Sequence, residues 1–293
     1  MTSLIAEGIA LDQRLVSLGT IGPQESYGPP RLSPDRRRVV VHEGSGGARD
    51  LWMIDVDRGI PSRFTFDPAD DINPVWSPDG AHVVFRSTRK GRSDLYQRAS
   101  GGAAADEVLF ESPESKLPTG FSPDGKILLF NRTMTGTKMD IWALPITGDR
   151  KPFPVIATAF DEGYATFSPD GRWIAYDSND SGASEVYVQP FPPTGAKVRL
   201  STTSGVSPSW SADGKTVFYM TSDYHMMAVS VTNSGREFRP ESPRELFASR
   251  PNGSTRNFGV DPSGDRFLIP VSGDEQTAAP ITVVLNWTAG LKK

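Results

Sequence analysis

Cysteine is absent from the 293-residue sequence, histidine occurs only three times, and there is no long apolar run. Without cysteine, the protein can have no disulfide framework, no thiolate-bound zinc or iron–sulfur cluster and no cysteine nucleophile. No stretch approaches the roughly 18 apolar residues of a membrane span, and residues 1–18 lack the basic segment and apolar core of a secretory signal. We therefore expect a cytoplasmic protein if the chain is complete, and an extracytoplasmic one if a membrane span precedes it.

Neither sign of charge dominates the sequence. Lysine and arginine number 31 against 35 aspartates and glutamates, a formal net charge of −4. Because nucleic-acid-binding proteins usually carry a basic surplus, we expect no nucleic-acid partner. Glycine and proline are plentiful instead, at 28 and 25 residues, which indicates many turns. Apolar residues make up 37% of the chain, enough for a packed core.

One short motif recurs along the chain: a large apolar residue followed by Ser-Pro-Asp-Gly or a near copy. Successive copies are about 43 to 50 residues apart. The residue after the apolar one, which we call the motif serine, is Ser33, Ser77, Ser122, Ser168, Ser211 and, in a weaker sixth copy, Asp261. Such regular spacing indicates an internal structural repeat.

Short runs rich in β-branched and aromatic residues follow each copy, and turn residues separate them. Runs of this kind are typical of strands, and four short strands per repeat are typical of a propeller blade. The sequence therefore predicts an all-β, single-domain, six-bladed β-propeller of four-stranded antiparallel blades. The predicted units cover approximately residues 24–68, 69–113, 114–159, 160–203, 204–250 and 251–293.

The last unit is one strand short, and the segment Gln13–Gly19 precedes the first unit without a sheet of its own. We predict that this segment is the outer strand of the last blade, next to residues 282–287. Such pairing would close the ring and remove an exposed strand edge.

The repeat unit continues from the motif through an apolar run and a polar loop to Asp-Leu-Tyr or Asp-Ile-Trp. It resembles the TolB-like, or WD40-like (PD40), propeller repeat from about residue 27 to residue 287. Three segments, Val186–Pro192, Trp210–Lys215 and Val284–Trp287, resemble the C-terminal propeller of certain bacterial receptor-like Ser/Thr protein kinases. The resemblance implies a sensing or interaction domain, extracytoplasmic if the parent is a membrane kinase. This sequence itself has no kinase motif.

Repeats can be compared with one another, and positions that differ between them are free to carry specificity. Nine residues after the motif serine, where the second strand of a blade ends, lie His42, Arg86, Asn131, Asp177, Met220 and Pro270. We expect a ligand site at the channel mouth made of His42, Arg86, Asn131, Arg132, Asp177, Tyr164, Tyr27 and Arg256. Its arginines suit a carboxylate or an acidic peptide.

The sequence favours a non-enzymatic, monomeric binding module for a protein, peptide or small ligand of unknown identity. The alternative is an enzyme with its site in the channel, such as a lyase, lactonase or hydrolase. There is no His-x-x-x-His pair and no Gly-x-Ser-x-Gly motif. Asp177–Gly182 matches the first half of a calcium loop, but Val188 stands where the twelfth-position acid is needed. We therefore predict no catalytic residue, no metal site and no cofactor.

Overall fold

The structure, a computed structural model, describes residues 2–9, 15–21, 27–44, 48–102, 105–133, 138–234, 237–249, 254–256, 258–261, 264 and 266–272. These residues form 25 β-strands and no helix, so none of them forms a helix that could cross a membrane. In chain order the strands are β1 (Thr2–Ile9), β2 (Leu15–Ile21), β3 (Arg31–Leu32), β4 (Arg38–Glu43), β5 (Asp50–Asp55), β6 (Pro61–Arg63), β7 (Asp71–Trp76), β8 (His82–Ser87), β9 (Asp94–Ala99), β10 (Glu107–Phe110), β11 (Ser115–Phe121), β12 (Ile127–Thr133), β13 (Met139–Pro145), β14 (Phe153–Ile156), β15 (Glu162–Phe167), β16 (Trp173–Ser178), β17 (Glu185–Pro190), β18 (Val198–Arg199), β19 (Val206–Trp210), β20 (Thr216–Met220), β21 (His225–Ser234), β22 (Glu237–Pro240), β23 (Arg244–Ala248), β24 (Gly259–Val260) and β25 (Arg266–Ser272).

The strands group into antiparallel sheets, most of them four-stranded, which confirms the predicted sheet architecture. Sheets 1 to 4 follow the chain as β3–β6, β7–β10, β11–β14 and β15–β18. Sheet 5 has five strands, β19–β23, because the long strand β21 pairs with β23 along its first half and with β22 along its second half. This extra β21–β22 hairpin accounts for the longer fifth repeat.

Sheet 6 combines strands from the two ends of the described chain, in the order β2-β1-β25-β24. Strand β2, which overlaps the predicted closing strand Gln13–Gly19, is the outer strand of this sheet. The sequence did not predict β1, which lies between β2 and β25. The expected neighbour, residues 282–287, lies outside the described residues. Pairing between segments so distant in sequence depends on the whole fold, which no local motif records.

The motif itself forms a tight turn between the first and second strands of a sheet. The motif serine hydroxyl donates to the aspartate two residues later at 2.6–2.7 Å, and it accepts from the backbone N–H five residues later. The residue after the aspartate has a positive φ, as in Gly80 (69°) and Gly171 (71°). Glycine adopts that conformation without strain. Arg36 takes the same place in sheet 1, at φ 63°.

The hydrophobic core lies between neighbouring sheets. Trp76, directly before a motif serine, is buried between sheets 1 and 2. Trp210 takes the equivalent place between sheets 4 and 5. Strand β25 contacts two sheets: Phe267 and Ile269 pack on the core of sheet 5, and Leu268 packs on that of sheet 1. Each of its faces is therefore covered.

Candidate functional site

One cavity of about 220 Å³ is lined by residues that belong to, or directly precede, the first strands of the six sheets. Its lining comes from equivalent segments of the repeats, residues 29–32, 73–75, 117–119, 164 and 166, 207–209, and 256 and 258–260. The repeat therefore determines where the cavity lies. The residues that differ between repeats determine which chemical groups line it.

Four of these first strands bulge at the same place, about four residues before the motif serine. In three of them the residue there has a positive φ: Asn73 (54°), Tyr164 (53°) and Ser207 (53°). Such left-handed backbone costs on the order of 1 kcal/mol or more for residues other than glycine. In sheets 1 and 3 the equivalent residues are Pro29 and Pro118, whose rings exclude a positive φ. The fold thus holds three strained residues around the cavity.

Buried polar side chains hold two of the bulges from the preceding sheet. The Oδ1 atom of Asn131 accepts a hydrogen bond from the Tyr164 N–H at 3.1 Å. The Oδ2 atom of Asp177 accepts one from the Ser207 N–H at 3.0 Å. Arg86 occupies the same repeat position in sheet 2, but the next bulge position is Pro118, which has no N–H to donate. Asn131 and Asp177, expected at the channel mouth, are buried links between sheets and lie outside the lining.

Arg256 brings three of the sequence-predicted site residues together. Its Nη1 atom donates to the Oδ2 atom of Asp177, and its guanidinium carbon lies 3.9 Å from the centre of the Tyr164 ring. Burial raises the pKa of the Asp177 carboxyl, and the Arg256 charge opposes that shift. Tyr164 and Arg256 both line the cavity, so this cluster forms one part of its wall.

The other predicted residues lie outside the lining. His42 is half-buried, its Nδ1 atom has no partner in the described part of the chain, and burial lowers its pKa to about 4. The Nε atom of Arg86 is also buried without a partner in the described structure. Tyr27 belongs to the core of sheets 1 and 6. Arg132 pairs with the Glu114 carboxylate and stacks on the Trp142 ring, 4.1 Å from its centre.

Sequence reasoning missed Arg31, the second arginine of the lining. Its Nη1 atom donates to the carbonyl oxygens of Pro30 at 3.1 Å and Phe258 at 3.2 Å. Burial lowers its pKa to about 10. Arg31 stands two residues before its motif serine, where the other repeats carry Val75, Gly120, Thr166, Ser209 and Gly259. Comparing that position across the repeats would have singled it out as the charged one.

Among the residues that the structure describes, no group of three or more His, Asp or Glu side chains could hold a metal ion. The acids of the calcium-like loop are engaged elsewhere. Asp177 binds Arg256, and Asp180 accepts a hydrogen bond from the Tyr187 hydroxyl at 2.6 Å and pairs with Lys197.

The architecture and the repeat agree with comparisons to known proteins. The sequence profile of the TolB β-propeller domain matches residues 22–153. A solved structure of a TolB protein from Agrobacterium tumefaciens superposes with a TM-score of 0.71 over 92% of this chain and 98% of that one, at 18% identity. The protein has a TolB-like β-propeller fold. The all-β propeller of four-stranded antiparallel blades predicted from the repeat is therefore confirmed.

Enzymes also occur among the proteins similar to this TolB-like propeller. An uncharacterized peptidase, YuxL of Bacillus subtilis (strain 168), is 28% identical over 208 residues, which are 57% of this chain and 32% of the relative. A structure of oligogalacturonate lyase in complex with manganese has a TM-score of 0.58 at 13% identity, over 88% of this chain and 83% of the lyase. The chain spans about a third of the length of the curated relatives it matches.

Proposed function

We propose that this TolB-like propeller is a non-enzymatic binding module that takes a small ligand or a segment of a partner protein into its central cavity. The observation that carries the proposal is the convergence of six first strands on one cavity, whose wall combines Arg31, Tyr164 and Arg256 with hydroxyl side chains. A concave site with a few converging polar groups is the usual place for a ligand.

We propose further that the six sheets are the blades of one closed ring, with the unit boundaries expected from the repeat. The packing of β25 on both sheet 5 and sheet 1 supports closure. So does the hydrogen bond from Arg31 of sheet 1 to the Phe258 carbonyl, directly before β24 of sheet 6. A closed ring would enclose the cavity on all sides and leave ligand access to its two ends.

An enzyme with its active site in the cavity is the alternative, and peptidases and lyases share the architecture. The lining favours binding, because its described residues include no histidine, aspartate, glutamate or lysine. General acid–base catalysis commonly uses those side chains. Tyr164 is the titratable group of the lining that such a reaction would have to use.

We also propose that the chain is the sensor or interaction region of a bacterial Ser/Thr kinase and is itself monomeric. The resemblance of residues 186–192 and 210–215 to kinase-associated propellers supports this proposal. The test is the reading frame upstream of Met1 in the genome: a kinase domain followed by a membrane helix is expected. A reading frame that encodes neither would contradict the kinase association. A dimer in light scattering would contradict the monomeric state.

The binding function is tested by a thermal-shift screen of small molecules and peptides on the wild-type chain and on Ser209→Phe. Ser209 lines the cavity, and a phenyl group there would fill it. Ser181→Phe is the matched control, because Ser181 is exposed in a loop away from the lining. Ligands should stabilise the wild type and the control but not Ser209→Phe. Compounds that stabilise all three equally, or that the wild type converts to products, would contradict the proposal.

A further inference from the structure

We propose that Arg31 binds a carboxylate group of the ligand inside the central cavity. This inference rests on the proposed function and names the chemistry that the cavity recognises. Arg31 lies in β3 at the cavity wall. Its Nη1 atom is held by the Pro30 and Phe258 carbonyl oxygens, at 3.1 and 3.2 Å, while Nε and Nη2 have no partner among the described residues.

The two carbonyl groups that hold Arg31 lie where sheets 1 and 6 approach closely. At Gly259, next to Phe258, a Cβ atom would come within 2.7 Å of the Pro30 carbonyl oxygen, so only glycine fits. The backbone therefore fixes the guanidinium through its Nη1 atom. The N–H groups of Nε and Nη2 lie side by side on the opposite edge and can donate to a ligand.

Charge balance sets Arg31 apart from Arg256, the other arginine of the described lining. Arg256 is paired with Asp177. The described lining contains no aspartate or glutamate, and Arg31 has no ion-pair partner among the described residues. A buried charge without a counter-charge is costly, and a bound anion would remove that cost.

A carboxylate fits this arrangement better than a phosphate does. One unpaired guanidinium neutralises a single negative charge, and its planar fork matches the two oxygens of a carboxylate. A phosphate dianion would remain partly unneutralised in a cavity of about 220 Å³. The wall also offers the Ser209 hydroxyl, and Thr119 and Ser207 have hydroxyl oxygens that are buried without a partner among the described residues. These hydroxyl groups are further hydrogen-bond donors in the lining.

The test uses acetate as the carboxylate probe, with chloride and inorganic phosphate as comparison anions at matched ionic strength. Binding is measured by NMR chemical-shift titration of the full chain and of Arg31→Gln, Arg31→Lys and Arg37→Gln. Arg37 is an exposed arginine of the turn next to β3, so it controls for loss of a positive charge. Acetate should bind the wild type saturably and Arg37→Gln equally well. Arg31→Gln should bind at least about tenfold more weakly, with Arg31→Lys between them.

The variants also report on folding. Because Arg31→Gln removes a half-buried charge that has no ion-pair partner among the described residues, it should stay folded, with an unfolding temperature close to that of the wild type in anion-free buffer. Equal acetate binding by Arg31→Gln, or tighter binding of phosphate than of acetate by the wild type, would overturn the carboxylate site. Ligands found in the thermal-shift screen are then tested on both variants. If they bind Arg31→Gln as well as the wild type but do not bind Ser209→Phe, the carboxylate site is overturned and the proposed binding function stands. Ligands indifferent to Ser209→Phe would overturn the module itself.

Discussion

Arg256, which lies just before β24 of sheet 6, forms an ion pair with Asp177 of sheet 4, although the two sheets are not consecutive in the chain. The same carboxylate accepts the N–H of Ser207 in sheet 5. One buried side chain therefore joins three sheets beside the cavity. This arrangement makes Asp177 a structural element that links these segments, whatever ligand the cavity takes.

We expect Asp177→Ala to lower the free energy of unfolding by about 2–4 kcal/mol. The change leaves the Arg256 charge and the Ser207 N–H without their acceptor, and breaking a buried pair is costly. Urea unfolding at pH 7 measures the loss. Asp149→Ala is the control, since the Asp149 side chain is 72% exposed and its change should be near neutral. Equal stability of the two variants would contradict this role.

The pH dependence of stability should reveal His42. Burial lowers its pKa to about 4, so between pH 6.5 and 4 the unfolded chain binds a proton that the folded chain does not. Stability should therefore fall as the pH drops through that window, by on the order of 3 kcal/mol from this residue. Urea unfolding across the window should show a smaller fall in His42→Gln, whereas His82→Gln, at an exposed histidine, should behave as the wild type does. A fall of wild-type size in His42→Gln would refute the assignment.

Trp76 should be a large contributor to the packing of sheets 1 and 2. It is buried among apolar side chains, and its Nε1 atom donates to the Arg31 carbonyl at 3.0 Å. Trp76→Ala should therefore cost roughly 3–5 kcal/mol of unfolding free energy in chemical denaturation. Phe66→Ala, which truncates a ring that is 60% exposed, should cost less than about 1 kcal/mol. Similar losses for both would show that Trp76 is not wedged between the sheets.

The turn at Arg36 should become more stable when it is made like its counterparts. Arg36 has a φ of 63°, where the other turns have glycine, such as Gly125 at 71°. Arg36→Gly should raise the unfolding temperature, by an amount equivalent to roughly 0.5–1 kcal/mol, because relief of left-handed strain exceeds the entropy that glycine adds to the unfolded chain. Gly125→Ala should act in the opposite direction. Calorimetry measures both, and a stabilising Gly125→Ala would contradict the explanation.

Removal of residues 1–21 should destabilise the whole chain. Both N-terminal strands are lost, so β25 loses its hydrogen-bonded neighbour β1 and the ring we propose would open at sheet 6. We expect a lower unfolding temperature and a larger radius of gyration in small-angle X-ray scattering. Adding the 1–21 peptide in trans should restore part of the stability, which controls for unspecific damage. A truncated chain of unchanged size and stability would argue against closure.

The sequence predicted the sheets well because their information is local. Each motif turn hydrogen-bonds within itself, and the strands beside it follow at short spacing. Long-range strand pairing was not predictable in the same way. No motif marks β1, so the sequence predicted one N-terminal strand in the last sheet, at residues 13–19, and not two. The candidate site was identified only in part. Tyr164 and Arg256 line the cavity, but the burial of Asn131 and Asp177 depends on backbone N–H groups of the following sheet. Arg31 lay at a repeat position that the comparison of second strands did not cover.

The links from Asn131 to Tyr164 and from Asp177 to Ser207 have a consequence for protein engineering. Each acceptor belongs to one repeat and its donor to the next. Exchanging the repeat that forms sheet 4 for one from a similar propeller would therefore separate acceptor from donor at both new junctions. A chimera joined between the second and third strands of a sheet would also break the link. The acceptor on the second strand would come from one parent, and the donor on the first strand of the next sheet would come from the other. A transferred segment should instead include both the second strand of one repeat and the first strand of the following repeat, so that acceptor and donor come from the same parent.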